Sequence, residues 1–143
     1  MSKAPGNVSD YDGSGDWVKV HEWGVSINPD AKSNYDRVLW HSMNQDQFTF
    51  KLPTTTPPGQ YLLRIESAQA TASFNSTQRF VQCAQIDVEG PGGGNPQPTM
   101  KIPSPEMMFD RGQWVSSNLY FPERASDEDI LSFKPPYGAA WTG

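Results

Sequence analysis

Apolar and polar residues alternate along several short stretches of this chain. In residues 48–52, which read Phe-Thr-Phe-Lys-Leu, the apolar side chains point one way while Thr49 and Lys51 point to water. Two further blocks, residues 60–66 and 78–88, are rich in aliphatic, β-branched and aromatic residues. A pattern of period two is typical of half-buried β-strands, so we expect one face of each sheet to pack inward.

Turn-forming residues separate these stretches along the whole chain. With 12 glycines and 13 prolines among 143 residues, no helical pattern of ordinary length continues uninterrupted. Short strands between turns predict an all-β sandwich of two sheets. Helix is expected only at residues 126–131, where Ser126 precedes three acidic residues as a cap would. The expected strands are residues 17–23, 48–52, 60–66, 78–88, 101–102 and 113–121.

The length of the chain predicts one domain. Its 143 residues include 36% hydrophobic and 12% aromatic residues, which is enough to fill one core. Residues 89–99 combine flexible glycines with stiff prolines, and such a segment could link two domains. We interpret it as an internal Gly/Pro loop, because the segment after it is too small to bury its own core. The expected unit is a single β-sandwich domain over residues 1–143.

The charge of the chain excludes some classes of partner. A formal net charge of −5, without a run of Lys or Arg, argues against nucleic acid and anionic membranes, since both require a cationic surface. No stretch approaches the roughly 20 apolar residues of a membrane helix. Residues 1–6 lack the apolar centre of a signal peptide, so we expect nothing in this chain to direct export. A neutral partner such as a glycan fits this composition.

Cys83 is the single cysteine of the chain, so an internal disulfide is excluded. A lone cysteine can be a small buried hydrophobe. It can also be one half of a disulfide whose partner is missing. Composition alone leaves both interpretations open and favours the buried thiol.

Two groups of residues are candidates for a metal site. His21 and His41 are the two histidines of the chain, but two ligands seldom make a tight site, and no acidic or cysteine cluster lies near them in sequence. The acidic run 127–129 could attract a cation, yet consecutive carboxylates do not share one face and lack the glycine spacing of a calcium loop. We therefore predict exposed polar histidines and a solvated acidic turn.

Several blocks of the chain resemble one known family. Residues 57–66 (PPGQYLLRIE) and 78–88 (QRFVQCAQIDV) are similar to central strands of the lytic polysaccharide monooxygenases of auxiliary-activity family nine. These are secreted fungal copper proteins that cut cellulose oxidatively. The resemblance implies an immunoglobulin-like or fibronectin-like β-sandwich with long loops, in which this chain begins mid-domain and lacks the family's first strands. The resemblance continues, nearly end to end, in residues 1–6, 11–20, 100–122 and 141–143.

The resemblance also indicates where the family's copper site would lie. In the family, copper is held by an N-terminal His and a second His just before the segment that matches residues 1–6, and this chain contains neither. The axial Tyr of the family falls on Phe80, the His that hydrogen-bonds the activated oxygen falls on Thr71, and the Gln beside it falls on Gln78. We therefore expect no copper cofactor and no functional catalytic group. The family's cysteine at position 83 pairs with an upstream partner, so the resemblance makes Cys83 half of a severed pair.

The resemblance implies a substrate surface as well. A C-terminal aromatic residue that faces cellulose in family members falls on Phe133, with Tyr137 close by, and flat rings can stack on sugars. Our first hypothesis is a truncated or degenerate, extracellular family member that is inactive as it stands and at most binds cellulose or another β-glucan weakly. The alternatives are the C-terminal part of an active secreted monooxygenase whose histidine-brace segment is missing, or a structural or interaction protein that uses the sandwich to bind a protein partner. Uncovered strands would favour such association, including self-association.

Overall fold

The computed structural model describes residues 1–69, 71, 76, 78–103 and 117–143. Regular structure in these residues is mostly β-strand, with two short α-helices. The predicted all-β class is confirmed, and the arrangement is consistent with an immunoglobulin-like sandwich. The strands are β1 (Ser2–Lys3), β2 (Trp17–Val18), β3 (Val25–Ile27), β4 (Val38–Trp40), β5 (Gly59–Gln69), β6 (Gln78–Val88) and β7 (Thr99–Met100). The helices are α1 (Ser117–Tyr120) and α2 (Asp127–Ser132), and 3-10 turns lie at Val8–Asp10, Asn34–Asp36 and Pro122–Arg124.

The described strands form three antiparallel sheets. One has the order β1-β5-β6, and the other two pair β2 with β7 and β3 with β4. The long pair of β5 and β6 stays in register from Gly59 opposite Val88 to Gln69 opposite Gln78. This hairpin carries Gln78, Phe80 and Cys83, and Thr71 follows its first strand.

The entry into β5 is fixed by a turn and a buried tyrosine. Tyr61 is buried, and its hydroxyl donates to the carbonyl of Pro57 at 2.5 Å. Gly59 has a φ of +132°, a backbone conformation that residues with a side chain rarely adopt. A Cβ at this position would lie 3.1 Å from Cε of Lys3. The Pro-Pro-Gly sequence therefore sets where the strand starts.

Two clusters of buried side chains form the interior. The first core consists of Met1, Val18, Tyr61, Val88 and Trp141. The second core consists of Leu119, Ala125 and Ile130, with half-buried residues of β3 and β4 packed against it. Helix α2 therefore rests on the small β3–β4 sheet, whereas the β1-β5-β6 sheet closes over the first core.

The strand prediction is confirmed along the central hairpin. Strand β6 has the predicted bounds, Gln78–Val88, and β5 includes the predicted residues 60–66 and continues to Gln69. Helix α2 begins after Ser126, whose hydroxyl accepts from the amide of Asp129 at 3.1 Å as the predicted cap. A long alternation of apolar and polar residues and a capping box both depend on residues close together in sequence, so they can be predicted from it.

Several other strand predictions are wrong. Residues 48–52 form no strand, because the rings of Phe48 and Phe50 pack against Trp23 instead of entering a sheet. The strand expected at 17–23 stops at Val18, and the one at 101–102 lies at Thr99–Met100. Of the strand expected at 113–121, residues 113–116 lie outside the described part, and Ser117–Tyr120 is helical.

A backbone hydrogen bond anchors the Gly/Pro loop 89–99. The amide of Gly94 donates to the carbonyl of Thr55 at 2.8 Å. A Cβ at Gly94 would lie 2.8 Å from the ring of Trp141, so only glycine fits this close approach. The single domain over residues 1–143 stays a prediction. In the described part of the chain, helices are too short and too polar to cross a membrane.

Candidate functional site

Gln78 and Phe80 lie together at the start of β6. They stand two residues apart, so both side chains project from the same face of the sheet. Phe80 lies opposite Ser67 and is 57% exposed. Thr71 follows β5 by two residues at the same end of the hairpin and is half-buried. The hairpin therefore brings the three predicted positions to one end of the sheet.

The opposite face of this end carries an ion network that the sequence analysis did not predict. Glu66 is its centre, with a side chain only 14% exposed. Its carboxylate accepts from Nη2 of Arg64 at 2.7 Å and lies 3.6 Å from Nη1 of Arg79. The hydroxyl of Tyr137 donates to Oε1 of Glu66 at 2.6 Å. Two guanidinium groups and one phenol thus share one carboxylate.

Tyr137 is held in an unusual position by this network. Its φ is +77°, a left-handed conformation that costs a residue with a side chain roughly 1–3 kcal/mol. The guanidinium of Arg79 lies 5.7 Å from the centre of its ring. Burial raises the pKa of the Tyr137 phenol well above its usual range, and the hydrogen bond to Glu66 raises the pKa further. The phenol therefore stays protonated and acts as a donor.

Phe133 has different surroundings from Tyr137. Its ring meets Trp40 edge to face with 5.7 Å between centroids, and it packs against the second core. The side chain is half-buried, so only part of the ring reaches the surface. The assignment of Phe133 and Tyr137 to substrate binding stays a prediction.

The two histidines lie in separate surroundings. His21 stacks on Phe50 at 5.4 Å and meets Trp23 edge to face at 4.4 Å. Nε2 of His41 lies 3.0 Å from Oγ of Ser26. The first histidine belongs to an aromatic cluster and the second to the β3–β4 sheet, so they share no ring or hydrogen-bond partner among the described residues.

The cluster of His21, Trp23, Phe48 and Phe50, called the aromatic cluster below, borders an open groove. The groove has a volume of about 410 Å³; of the aromatic cluster only His21 lines it, together with residues that include Lys51, Leu52 and Trp141. The sequence analysis missed this cluster because it placed residues 48–52 on a strand. Four rings within a span of thirty residues were the signal that could have found it.

Two carboxylates of the acidic run 127–129 form hydrogen bonds or ion pairs within the chain. Asp129 accepts from the amide and the hydroxyl of Ser126, both at 2.8 Å, and these bonds hold the pKa of its carboxyl below the usual range. Asp127 forms an ion pair with Arg37. Both carboxylates therefore anchor the start of α2, as capping groups at a helix N-terminus do.

The groups present do not fit a histidine-brace copper site. Such a site needs three converging nitrogen donors, whereas Phe80 offers carbon atoms and Thr71 a hydroxyl. In the residues that the structure describes, no group of three or more His, Cys, Asp or Glu could hold a metal ion. We derive no chemical step through copper for this chain.

Cys83 is a free thiol at the middle of β6, and it is exposed. The interpretation favoured by composition alone, a buried small hydrophobe, is therefore wrong. The interpretation of Cys83 as half of a severed pair stays a prediction.

Comparison with known proteins identifies the relatives of this chain. The model of Auxiliary Activity family 9 (formerly GH61) matches residues 1–124. The chain is 39% identical over 144 residues to AA9 family lytic polysaccharide monooxygenase G of Aspergillus tamarii, with all of this chain and 41% of the relative covered. It is 36% identical over 147 residues to monooxygenase U of Thermothielavioides terrestris, with all of this chain and 53% of the relative covered.

A third relative extends the same pattern. AA9 family lytic polysaccharide monooxygenase C of Emericella nidulans is 31% identical over 146 residues, with all of this chain and 57% of the relative covered. The chain thus spans about half the length of the curated relatives it matches.

Proposed function

This chain belongs to Auxiliary Activity family 9, and from that premise we propose that it binds β-glucan weakly and does not itself carry out copper-dependent oxidation. The observation that carries the proposal is Phe80. The family resemblance places an axial tyrosine oxygen at this position, and the chain has an exposed phenyl ring there. Carbon atoms do not ligate a transition metal, so this position supplies no donor.

The histidines support the same proposal. His21 stacks on Phe50 and meets Trp23 edge to face, and His41 contacts Ser26, so the two imidazoles have different surroundings. Thr71, at the position of the family's oxygen-binding His, has no imidazole at all. The donor set of this chain is thus unlike the set that the family uses. The family resemblance also favours an extracellular location, where β-glucan is available.

We expect copper to bind only weakly and without a fixed stoichiometry. Titration calorimetry of the Cys83→Ser variant with Cu²⁺ removes the thiol, which would otherwise bind copper and mask the result. We expect no saturable site with a Kd below about 1 μM, the range that a binding energy of about 8 kcal/mol would give.

Incubation with cellulose, copper and a reductant provides the matching activity assay. We expect no copper-dependent oxidised oligosaccharides, with one of the full-length relatives as the positive control. A tight site in the Cys83→Ser variant, accompanied by oxidised products, would contradict the proposal.

Weak glucan binding is expected to depend on Phe133. Because an aromatic contact contributes about 0.5–1.5 kcal/mol, Phe133→Leu should lower the cellulose-bound fraction about two- to tenfold in a pull-down assay. Leucine keeps apolar packing against Trp40, so the fold is retained. Phe48→Leu, in the aromatic cluster, is the matched control and should bind as the parent does. The reverse result would move the glucan surface to the aromatic cluster.

A second candidate rests on the coverage of the relatives. Because the chain spans 41% of one relative and 57% of another, it could be one part of a longer copper-dependent enzyme. The transcript sequence upstream of the Met1 codon tests this directly. Two histidines at the brace positions behind a signal peptide would favour the enzyme, and a stop codon in frame would exclude it.

A further inference from the structure

Among the described strands, none pairs with the outer edge of β6. Strand β6 is a terminal strand in the order β1-β5-β6. The side chains of residues 80–85 are all exposed, including Phe80, Val81 and Cys83. Natural edge strands are protected by Lys, Pro or bulges, but the eleven residues of β6 contain neither Lys nor Pro and pair with β5 without a bulge.

The backbone groups at this edge can be identified from the neighbouring strands. The carbonyl of Gln60 accepts from the amide of Ala4, so even-numbered residues of β5 point toward β1. Gln60 lies opposite Asp87, which makes this a non-hydrogen-bonded pair within the β5–β6 ladder. The odd-numbered residues of β6, from 79 to 87, therefore point their amides and carbonyls outward. No backbone bond among the described residues reaches these groups at positions 81, 83, 85 and 87.

The sequence of β6 is complementary to itself when it is reversed about Cys83. Cys83 is the central residue of Gln78–Val88, so an antiparallel copy centred there overlaps all eleven residues. Arg79 then lies opposite the partner's Asp87, and Phe80 lies opposite the partner's Ile86. Opposite charges and apolar residues placed directly across from each other stabilise an antiparallel pair, and each of these pairs occurs twice.

Neighbouring registers lack this complementarity. Centring the pair on Gln82 places Arg79 opposite the partner's Gln85 and leaves Asp87 beyond the overlap. Centring it on Ala84 places Phe80 opposite the partner's Val88 and Cys83 opposite the partner's Gln85. Both registers lose the Arg–Asp pairs. Centring on Ala84 places Arg79 opposite the partner's Glu89 instead, but Glu89 lies beyond the end of β6, so the register about Cys83 is preferred.

We propose that two copies of this chain pair antiparallel through the outer edges of β6, about a twofold axis at Cys83, and that a disulfide between the two Cys83 residues locks the dimer. The two three-stranded sheets then become one continuous six-stranded sheet. Arg79 keeps its contact with Glu66, at 3.6 Å, because a guanidinium has several donors to share. The dimer does not depend on glucan binding.

The disulfide is compatible with the geometry of the pair. Cys83 and the partner's Cys83 form a hydrogen-bonded pair with about 5.5 Å between Cα atoms, within the roughly 4.4–6.8 Å that disulfides span. Its formation needs an oxidant, and a low-molecular-weight disulfide such as oxidised glutathione supplies it. One thiolate attacks that disulfide and releases a thiol, and the second thiolate displaces the other half. Two protons and two electrons leave the protein, and two small thiols form.

The test measures the mass of the 143-residue chain by light scattering, with and without a glutathione redox buffer. We expect a concentration-dependent dimer under reducing conditions and a covalent dimer, visible on a non-reducing gel, under oxidising conditions. Cys83→Ser should abolish the covalent species and retain the reversible one. In the Cys83→Ser background, Gln82→Cys should form no covalent dimer, because residue 82 lies opposite the partner's Ala84.

Two pairs of variants separate edge pairing from random thiol collision. Gln85→Pro removes an outward amide, which an edge strand tolerates, and should block dimerisation, while Gln85→Ala should not. Asp87→Lys places like charges opposite Arg79 twice and should weaken the reversible dimer about tenfold, while Glu89→Lys, just outside β6, should not. Circular dichroism checks that each variant is folded.

The proposal is overturned if folded chain remains monomeric at 200 μM or about that concentration, where pairs with Kd in the micromolar range would associate. It is also overturned if covalent dimers form equally well in Gln85→Pro and Asp87→Lys, since that pattern marks collision of exposed thiols. Efficient crosslinking of Gln82→Cys in the Cys83→Ser background would replace the proposed register with the one centred on Gln82. None of these outcomes changes the expected cellulose pull-down.

Discussion

Replacing Trp141 with alanine should lower the free energy of unfolding by about 3–5 kcal/mol, because a large aromatic side chain leaves a cavity that the core only partly refills. Trp141 is 8% exposed and lies in the first core with Met1, Val18 and Tyr61. Its amide donates to the carbonyl of Lys19 at 2.8 Å, and alanine keeps that bond. The loss therefore reports packing alone.

Urea unfolding followed by circular dichroism measures this loss without relying on tryptophan fluorescence. Leu131→Ala is the control, because Leu131 is 64% exposed and its replacement should change stability by less than about 0.5 kcal/mol. A domain of this size has about 5–15 kcal/mol of stability, so Trp141→Ala should bring the chain close to unfolding. A loss below 1 kcal/mol, or about the effect of an average surface change, would mean that Trp141 does not close the first core.

Replacing Glu66 with glutamine should destabilise the chain by about 2–4 kcal/mol. The amide keeps the shape of the carboxylate but removes the negative charge that Arg64 and Arg79 share at this position. Breaking a fully buried pair costs about 3–5 kcal/mol, and partial exposure of the two guanidinium groups reduces that figure. Glu89→Gln, at an exposed position, is the matched control and should have little effect.

The phenol of Tyr137 allows an independent measurement on the same network. Tyr137→Phe removes one hydrogen bond to a charged group and should cost about 1.5–3 kcal/mol. Because the folded pKa of Tyr137 lies above its usual value of 10.0, its contribution is complete below that pH and is lost as the pH rises beyond it. Above the usual tyrosine pKa, the free energy of unfolding should therefore fall less steeply with pH in Tyr137→Phe than in the parent. A double-mutant cycle with Glu66→Gln should give a coupling energy above about 0.5 kcal/mol, and additive effects would contradict the shared network.

The sequence predicted those parts of the fold that have local causes. Strand β6 was predicted to the residue, because a long alternation between turns has few other solutions. The same pattern at residues 48–52 gave a wrong strand prediction. Phe48 packs against Trp23 and Phe50 stacks on His21, so both rings are covered without a neighbouring strand. Alternation of apolar and polar residues indicates that every second side chain lies in apolar surroundings. It does not show that a neighbouring strand is present.

The candidate site divides in the same way. Period two was enough to put Gln78 and Phe80 on one face of β6. The network around Glu66 could not be predicted, because its phenol comes from Tyr137, 71 residues further along the chain. No spacing rule connects these two positions. The pairing of β3 with β4 was also missed, since strands of three residues give too little alternation to recognise.

The first core joins residues from opposite ends of the sequence, and this has a consequence for folding kinetics. Met1 packs in the same cluster as Trp141, with Tyr61 and Val88 from the middle of the chain. The β5–β6 hairpin can form early because its strands are close in sequence, whereas the core must wait until the most distant segments meet. Loop closure over such separations is entropically costly, and chains rich in non-local contacts fold slowly. During that delay the hairpin stands with its apolar face in water, which makes the interval before closure the stage at which this protein is most prone to aggregate.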